Sequence, residues 1–269
     1  MLKALLLVVM LLAIPARAAD SQQVVTLSPH LAELIFLLGA GDRLVGVSEY
    51  SDYPVQAKSI PRIGGAVGVD AERTLSLAPD LVLAWQGGTR ETDIALLRKL
   101  GLNVVSIKGE TLEDIPLALS QLGSLLGRQQ AADREAEAFR QQQKELHEKF
   151  AAAPRTPVFI QISIQPLMAL SGKHAFSAGL EACNAVNVFS DLSQPAAMVD
   201  LETILARHPR YILVPDSVSD ADAAASLLRY RQPGRDNAVE MIRFDADRAF
   251  RQTPRLLGAV AEVCDALHQ

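Results

Sequence analysis

Few side chains in this 269-residue chain stand where they can do chemistry, and the scarcest are the most informative. The sole tryptophan, Trp85, closes the apolar run Leu81–Ala84 and precedes Gly87-Gly88. Two of the four tyrosines, Tyr50 and Tyr53, fall in Ser48-Glu49-Tyr50-Ser51-Asp52-Tyr53-Pro54, behind another apolar run. In parallel α/β sheets the loops beyond the strand ends form ligand crevices. A tryptophan and a tyrosine there would stack on a flat or bulky apolar ligand, although packing of the loops themselves accounts for them equally well. The five histidines, His30, His147, His174, His208 and His268, are scattered without metal-ligand spacing. His147 falls on a charged helix and His208 at a helix end, both structural or solvated positions. No nucleophile elbow, zinc-protease helix or phosphate-binding loop is present. The glycines of Gly64-Gly65-Ala66-Val67-Gly68 do not follow a strand as a dinucleotide fingerprint requires.

A second signal is an internal echo. Asp70, Glu72, Leu75 and Pro79 recur at identical offsets as Asp200, Glu202, Leu205 and Pro209, each time leading into an apolar strand. Asp70 and Asp200 are placed to cap helices, Glu72 and Glu202 fall in the first turn near the positive dipole end, and the prolines end the helix. These acids either stabilise two helices or present one carboxylate from each of two equivalent lobes. An acid–base pair in a periplasmic enzyme is the competing use. Equivalent positions on two lobes give two separate points rather than one convergent site, which disfavours it.

The elements that would position these residues alternate. Val24–Ser28, Leu44–Val47, Leu81–Ala84 and Val104–Ile107 read as buried strands, with helices over Pro29–Leu38 and Thr92–Leu100. Such alternation predicts βαβ units and a mostly parallel sheet. From Leu112 the pattern turns helical, as Leu112–Leu126 and then Gln129–Phe150, the latter with an apolar stripe through Ala132, Phe139, Leu146 and Phe150. Val158–Ser163 then opens a second strand–helix series. The expected class is therefore α/β in two lobes, each a mostly parallel sheet flanked by helices, joined by one long helix. The expected boundaries are 19–126 for the first lobe, 127–153 for the connecting helix and 154–269 for the second lobe.

Composition narrows the partners. A 49% apolar, 21% charged chain carries enough apolar surface to fold, and a net charge of −5 supplies no basic face for nucleic acid. Residues 1–18 read as a cleavable signal peptide: Lys3, the apolar run Ala4–Ile14, the breaker Pro15 and the small-x-small site Ala16-Arg17-Ala18. The apolar run is too short to span a bilayer, and no cysteine follows Ala18. The chain is expected in the periplasm. Export favours pairing its only two cysteines, Cys183 and Cys264, with two unrelated buried thiols as the alternative.

Taken together, Ser28-Pro29, then Tyr50-Ser51-Asp52-Tyr53-Pro54, then Pro79-Asp80 running through Trp85-Gln86-Gly87-Gly88, resemble the periplasmic vitamin B12-binding proteins of ABC importers. Leu180–Phe189 around Cys183, and Pro254-Arg255 followed by Cys264, extend the resemblance through the second half. The Pro79-Asp80 strand motif is shared with the wider iron-siderophore, haem and B12 binding superfamily. The resemblance implies a class III periplasmic binding protein with a helical backbone, no enzymatic turnover and no cofactor. It implies a corrinoid such as cobalamin in the cleft, and a free-state monomer that docks on an ABC permease dimer with a cytoplasmic ATPase. An iron-siderophore or haem carrier of the same superfamily is the alternative.

Residue by residue, the resemblance implies that Tyr50 and Trp85 pack on the corrinoid, that Asp247 and Arg251 supply polar cleft contacts, that Cys183 and Cys264 form a disulfide, and that Glu72 and Glu202 dock on the permease. Pro29 and His30 fall at the cleft rim. His30 is unusual there: it is either a satisfied rim histidine or a cobalt ligand for a corrinoid without its lower base. Three positions depart from the pattern. Ala66 and Ala197 replace aromatics and Ile162-Ser163 lacks a phenylalanine, which implies a less aromatic pocket. Gly65 stands where haem-binding relatives place a tyrosine ligand, which argues against haem.

Overall fold

The computed structural model describes residues 22–65, 67–109, 111–230 and 239–269. The signal-peptide reading of residues 1–18 and the departure at Ala66 lie outside the described residues. Among them, no helix is long and apolar enough to cross a membrane.

The first half alternates as the sequence predicts: β1 (Val24–Thr26), α1 (Pro29–Leu37), β2 (Leu44–Val47), β3 (Gly64–Gly65), β4 (Gly68–Val69), α2 (Ala71–Ser76), β5 (Leu81–Trp85), α3 (Glu91–Lys99) and β6 (Val104–Ile107). Strands β2-β1-β5-β6 form one parallel sheet, and β3 and β4 make a small antiparallel ribbon. The strands are short unbroken apolar runs because helices cover both faces; Val24, Val25 and Leu81–Trp85 are all buried. Pro29 sits in the first turn of α1, where its missing N–H breaks no helical bond. Strand β5 runs one residue further than predicted and takes in Trp85, which pairs with Ile107.

Helices α4 (Asp114–Leu126) and α5 (Gln129–Lys149) leave this lobe. Gly127, at φ 61°, turns the chain between them, and a side chain at Gly123 would strike the Ala132 Cβ at 2.5 Å, so the two helices meet closely there. α5 buries Ala132, Ala136, Phe139 and Leu146 and exposes its charged face. It is the long helix that the sequence predicts.

The second half contains β7 (Thr156–Ile164), β8 (Leu167–Leu170), α6 (Ala175–Leu180), β9 (Ala185–Asn187), β10 (Ala196–Met198), α7 (Leu201–Ala206), β11 (Tyr211–Pro215), α8 (Asp220–Tyr230), β12 (Glu240–Phe244), α9 (Ala246–Ala249) and α10 (Arg255–Leu267). Strands β9, β7, β11 and β12 run parallel. The end of β7 instead folds back antiparallel onto β8, and β8 onto β10. This lobe is therefore mixed where a βαβ reading expects a helix after Val158–Ser163. Cys183, in the turn after α6, is disulfide-bonded to Cys264 of α10, closing 81 residues of chain with both sulfurs buried. The molecule is a two-lobed α/β structure, each lobe a mostly parallel sheet flanked by helices, with α5 between them.

Candidate functional site

A cavity of about 700 Å³ opens between the lobes. The first lobe lines it from the ends of β1, β5 and β6, through His30, Trp85–Gly88, Gly109 and Thr111. The second lobe lines it through Lys173, His174, Ser193, Pro195, Phe250 and Gln252.

Trp85 is the fixed wall. The residue is 3% exposed and its ring is wedged between glycines: a Cβ at Gly109 would lie 1.7 Å from its Cζ2, and one at Gly88 3.1 Å from its Cδ1. His30 packs edge-on against it at 4.4 Å between ring centres. Across the cavity His174 packs edge-on against Phe250 at 5.8 Å, while its Nδ1 accepts the Phe176 N–H at 3.2 Å and caps α6. Both imidazoles stay neutral. Burial, reinforced by the charges of Arg251 and His174, lowers His30 to about 3. Burial alone lowers His174 to about 4. The polar groups of the lining are mostly uncharged, among them Gln86, Gln252, Thr111 and Ser193. Among the described residues, the one cation in this lining, Lys173, donates its Nζ to the Ser193 carbonyl at 2.6 Å. Such a wall suits a bulky, neutral, amide-bearing ligand better than a polyanion.

Beside the cavity the lobes are tied by charge. Glu33 of α1, 3% exposed, accepts from the Thr253 hydroxyl at 2.7 Å and from Arg255 at 3.0 Å, with Arg251 at 3.6 Å. Arg251 reaches back to the Tyr50 carbonyl at 3.0 Å and Asp52 at 2.6 Å, and pairs with Asp247 at 2.5 Å. Arg255 lies 3.7 Å over the Tyr53 ring. Burial pushes Glu33 above the usual carboxylate range, against the pull of Thr253 and the two arginines. Burial also raises Asp247, with Arg251 opposing. At Asp52 burial is outweighed by the Arg251 hydrogen bond and charge, which hold that carboxyl below its ordinary value.

The predicted site residues divide accordingly. Trp85 and His30 line the cavity. Pro29 opens α1 outside the lining, and Tyr50 stands outside it with its side chain in solvent, the residue being 81% exposed and at φ 63°. Asp247 and Arg251 are bound to each other; the Arg251 Nη2 is taken by the Tyr50 carbonyl, Asp52 and Asp247, while its Nη1, 3.6 Å from Glu33, makes no hydrogen bond among the described residues. The Nε2 of His30, the residue read as a rim histidine or a cobalt ligand, is buried and has no hydrogen-bond partner among the described residues. Ala197 lies in β10 and Ile162-Ser163 in β7, all outside this lining.

Glu72 and Glu202 are exposed in the first turns of α2 and α7, far apart in sequence and absent from the cavity wall. Their helices are capped as the echo predicts: Asp70 accepts from the Arg73 N–H at 2.9 Å and Asp200 from the Thr203 N–H at 2.7 Å. The echo extends into the backbone, because Ala78 and His208 both take the left-handed conformation just before Pro79 and Pro209.

Sequence reasoning missed Glu33, His174 and Phe250. Glu33 carried a signal: it is the one acid in the otherwise apolar helix PHLAELIFL, and a buried acid demands a partner. His174 and Phe250 carried none.

Two α/β lobes bridged by a long helix, with an aromatic cavity between them, define a substrate-binding protein of the kind that captures a ligand in its interlobe cleft. The sequence pattern of the periplasmic binding proteins matches residues 24–233, and the chain belongs to that family, a family of binding proteins rather than enzymes. It is 36% identical over 262 residues to the vitamin B12-binding protein of Pectobacterium atrosepticum, covering 96% of this chain and 92% of that one. It is 32% identical over 264 residues to the vitamin B12-binding protein of Yersinia pseudotuberculosis, covering 98% and 92%. Among solved structures, the periplasmic vitamin B12-binding protein BtuF of Vibrio cholerae superposes with a TM-score of 0.79 at 31% identity, covering 91% of this chain and 96% of that one. The periplasmic heme-binding protein RhuT from Roseiflexus shares the fold, with a TM-score of 0.79 at 21% identity over 92% and 98% of the two chains.

Proposed function

We propose that this protein captures vitamin B12 or a related corrinoid in the periplasm and delivers it to the permease of an ABC importer, without chemical turnover. The observation that carries the reading is the aromatic cleft, whose polar lining among the described residues is mostly uncharged, in a chain resembling vitamin B12-binding proteins along nearly its whole length. A corrin is a large flat ring fringed with amides. Trp85 supplies the apolar wall, and Gln86, Gln252 and Ser193 supply neutral hydrogen-bond partners for those amides. The exposed Tyr50 ring is free to fold over the ligand at the mouth. Residues 19–126 and 154–269 are the two lobes that close on it, and 127–153 the connection.

Glu72 and Glu202, one exposed acid on each lobe, are the docking points on the permease. Their separation between two short, capped helices leaves the cavity to ligand binding alone.

The test is a titration with cyanocobalamin read by isothermal calorimetry, which serves the parent and a tryptophan-free variant alike. Saturable one-to-one binding that weakens at least tenfold in Trp85→Ala supports the assignment. Binding unaffected by that variant removes Trp85 from the site, and no binding by the parent protein removes the function.

A further inference from the structure

We propose that Glu33 is a positioning residue that sets the spacing of the two cleft walls, although it touches no ligand. The inference rests on the cleft being the binding site. Glu33 leaves the apolar α1 to enter the loop between α9 and α10 of the opposite lobe, where Thr253 and Arg255 hold both of its oxygens. From that same loop Arg251 enters the first lobe and holds Asp52 and the Tyr50 carbonyl. The two hooks are reciprocal and meet at Glu33, which holds Arg255 at 3.0 Å and lies 3.6 Å from Arg251, itself held more closely by Asp52.

Each hook adjoins a cavity wall. His30, which packs on Trp85, precedes Glu33 by one helical turn on α1; Phe250, which packs on His174, directly precedes Arg251. A buried carboxylate is tolerated only with its partners in place, so the registry of the hooks fixes the registry of the walls. Because a preformed cleft spares the ligand the cost of ordering it, loosening the hooks weakens binding without removing any ligand contact.

Glu33→Gln keeps the shape and removes the charge. Two measurements decide: cyanocobalamin affinity by calorimetry, and the distance between labels on the exposed helices α2 and α7 by pulsed electron paramagnetic resonance. The expected result is a broadened interlobe distance distribution and a Kd raised at least tenfold, with Arg255→Gln, at the partly exposed edge of the cluster, moving both in the same direction. A residue that merely stabilises the fold would lower Tm and move neither. Unchanged distances and a Kd within twofold of the parent overturn the inference while leaving the binding site standing. If the parent protein binds no cyanocobalamin, the functional reading fails and the distance distribution alone decides the role of Glu33. If Glu33→Gln does not fold, Arg255→Gln carries the same two readouts.

Discussion

Gly109→Ala tests whether the Trp85 wall is as tightly fixed as its contacts indicate. A methyl group there would lie 1.7 Å from Cζ2 and 2.0 Å from Cη2 of the indole, against ordinary carbon contacts of about 3.5–4.0 Å. The ring must retreat by roughly 2 Å. His30 blocks one side at 4.4 Å and Gly88 crowds another, so the open direction is the cavity itself. Overpacking of this kind costs about 1–3 kcal/mol. For a chain of this size that lowers Tm by roughly 2–12 °C. Because Trp85 is the only tryptophan, its emission reports the move directly: a ring pushed into a water-filled cavity shifts to the red and loses cyanocobalamin quenching. Trp85→Phe removes the two clashing atoms, so the double variant should be more stable than the sum of the single effects predicts by about 1 kcal/mol or more. A Gly109→Ala protein with parental emission, Tm and binding would refute the claim that glycine is required at this wall.

Replacing Cys183 and Cys264 together by serine should cost about 4 kcal/mol from the 81-residue loop, read as a lower denaturation midpoint, with ligand binding retained by the protein that remains folded. Acid should destabilise the fold. His30 and His174 bind protons in the unfolded chain near pH 6.5 but in the folded one only near about 3 and about 4. The unfolded state therefore takes up more protons between those values, and stability present above pH 6.5 is lost as pH falls. The depressed carboxyls of Asp52 and Asp114 act in the same sense, while the raised Glu33 and Asp247 oppose it. In calorimetric scans between pH 7 and 4, His174→Asn, which keeps a cap acceptor and cannot ionise, should show a shallower fall in Tm than the parent. The double variant Glu72→Arg, Glu202→Arg should bind cyanocobalamin normally in solution yet fail to support uptake in vesicles reconstituted with the cognate importer, since like charges across an interface are strongly unfavourable. Normal uptake by it would show the two acids are not docking points.

Much of the frame is local and therefore legible in the sequence. β2 and β6 fall on their predicted residues, and α5 ends one residue early, because a buried strand and an amphipathic helix each carry their own hydrophobic period. The twin helices α2 and α7 are legible for the same reason: cap, first-turn acid and terminating proline are all within one turn or two. What escapes is set by contacts distant in sequence. The β7–β8 hairpin replaces an expected helix because its pairing is chosen by the sheet it joins. Arg251 is directed by Asp52 and Glu33, some two hundred residues away, and no local pattern distinguishes an arginine that ties two lobes from one that meets a ligand. His30 reads as either a rim histidine or a cobalt ligand until Trp85 is placed against it.

The visible spectrum of the protein, purified natively from cells grown with cobalamin and compared with the same protein after mixing with cyanocobalamin or haemin, addresses the binding claim most directly. The account predicts corrinoid absorption that travels with the protein through gel filtration at one equivalent, is displaced by excess cyanocobalamin, and is not displaced by haemin. A protein that carries no corrinoid, acquires none on mixing, and instead takes up haemin with an intense porphyrin band would contradict it.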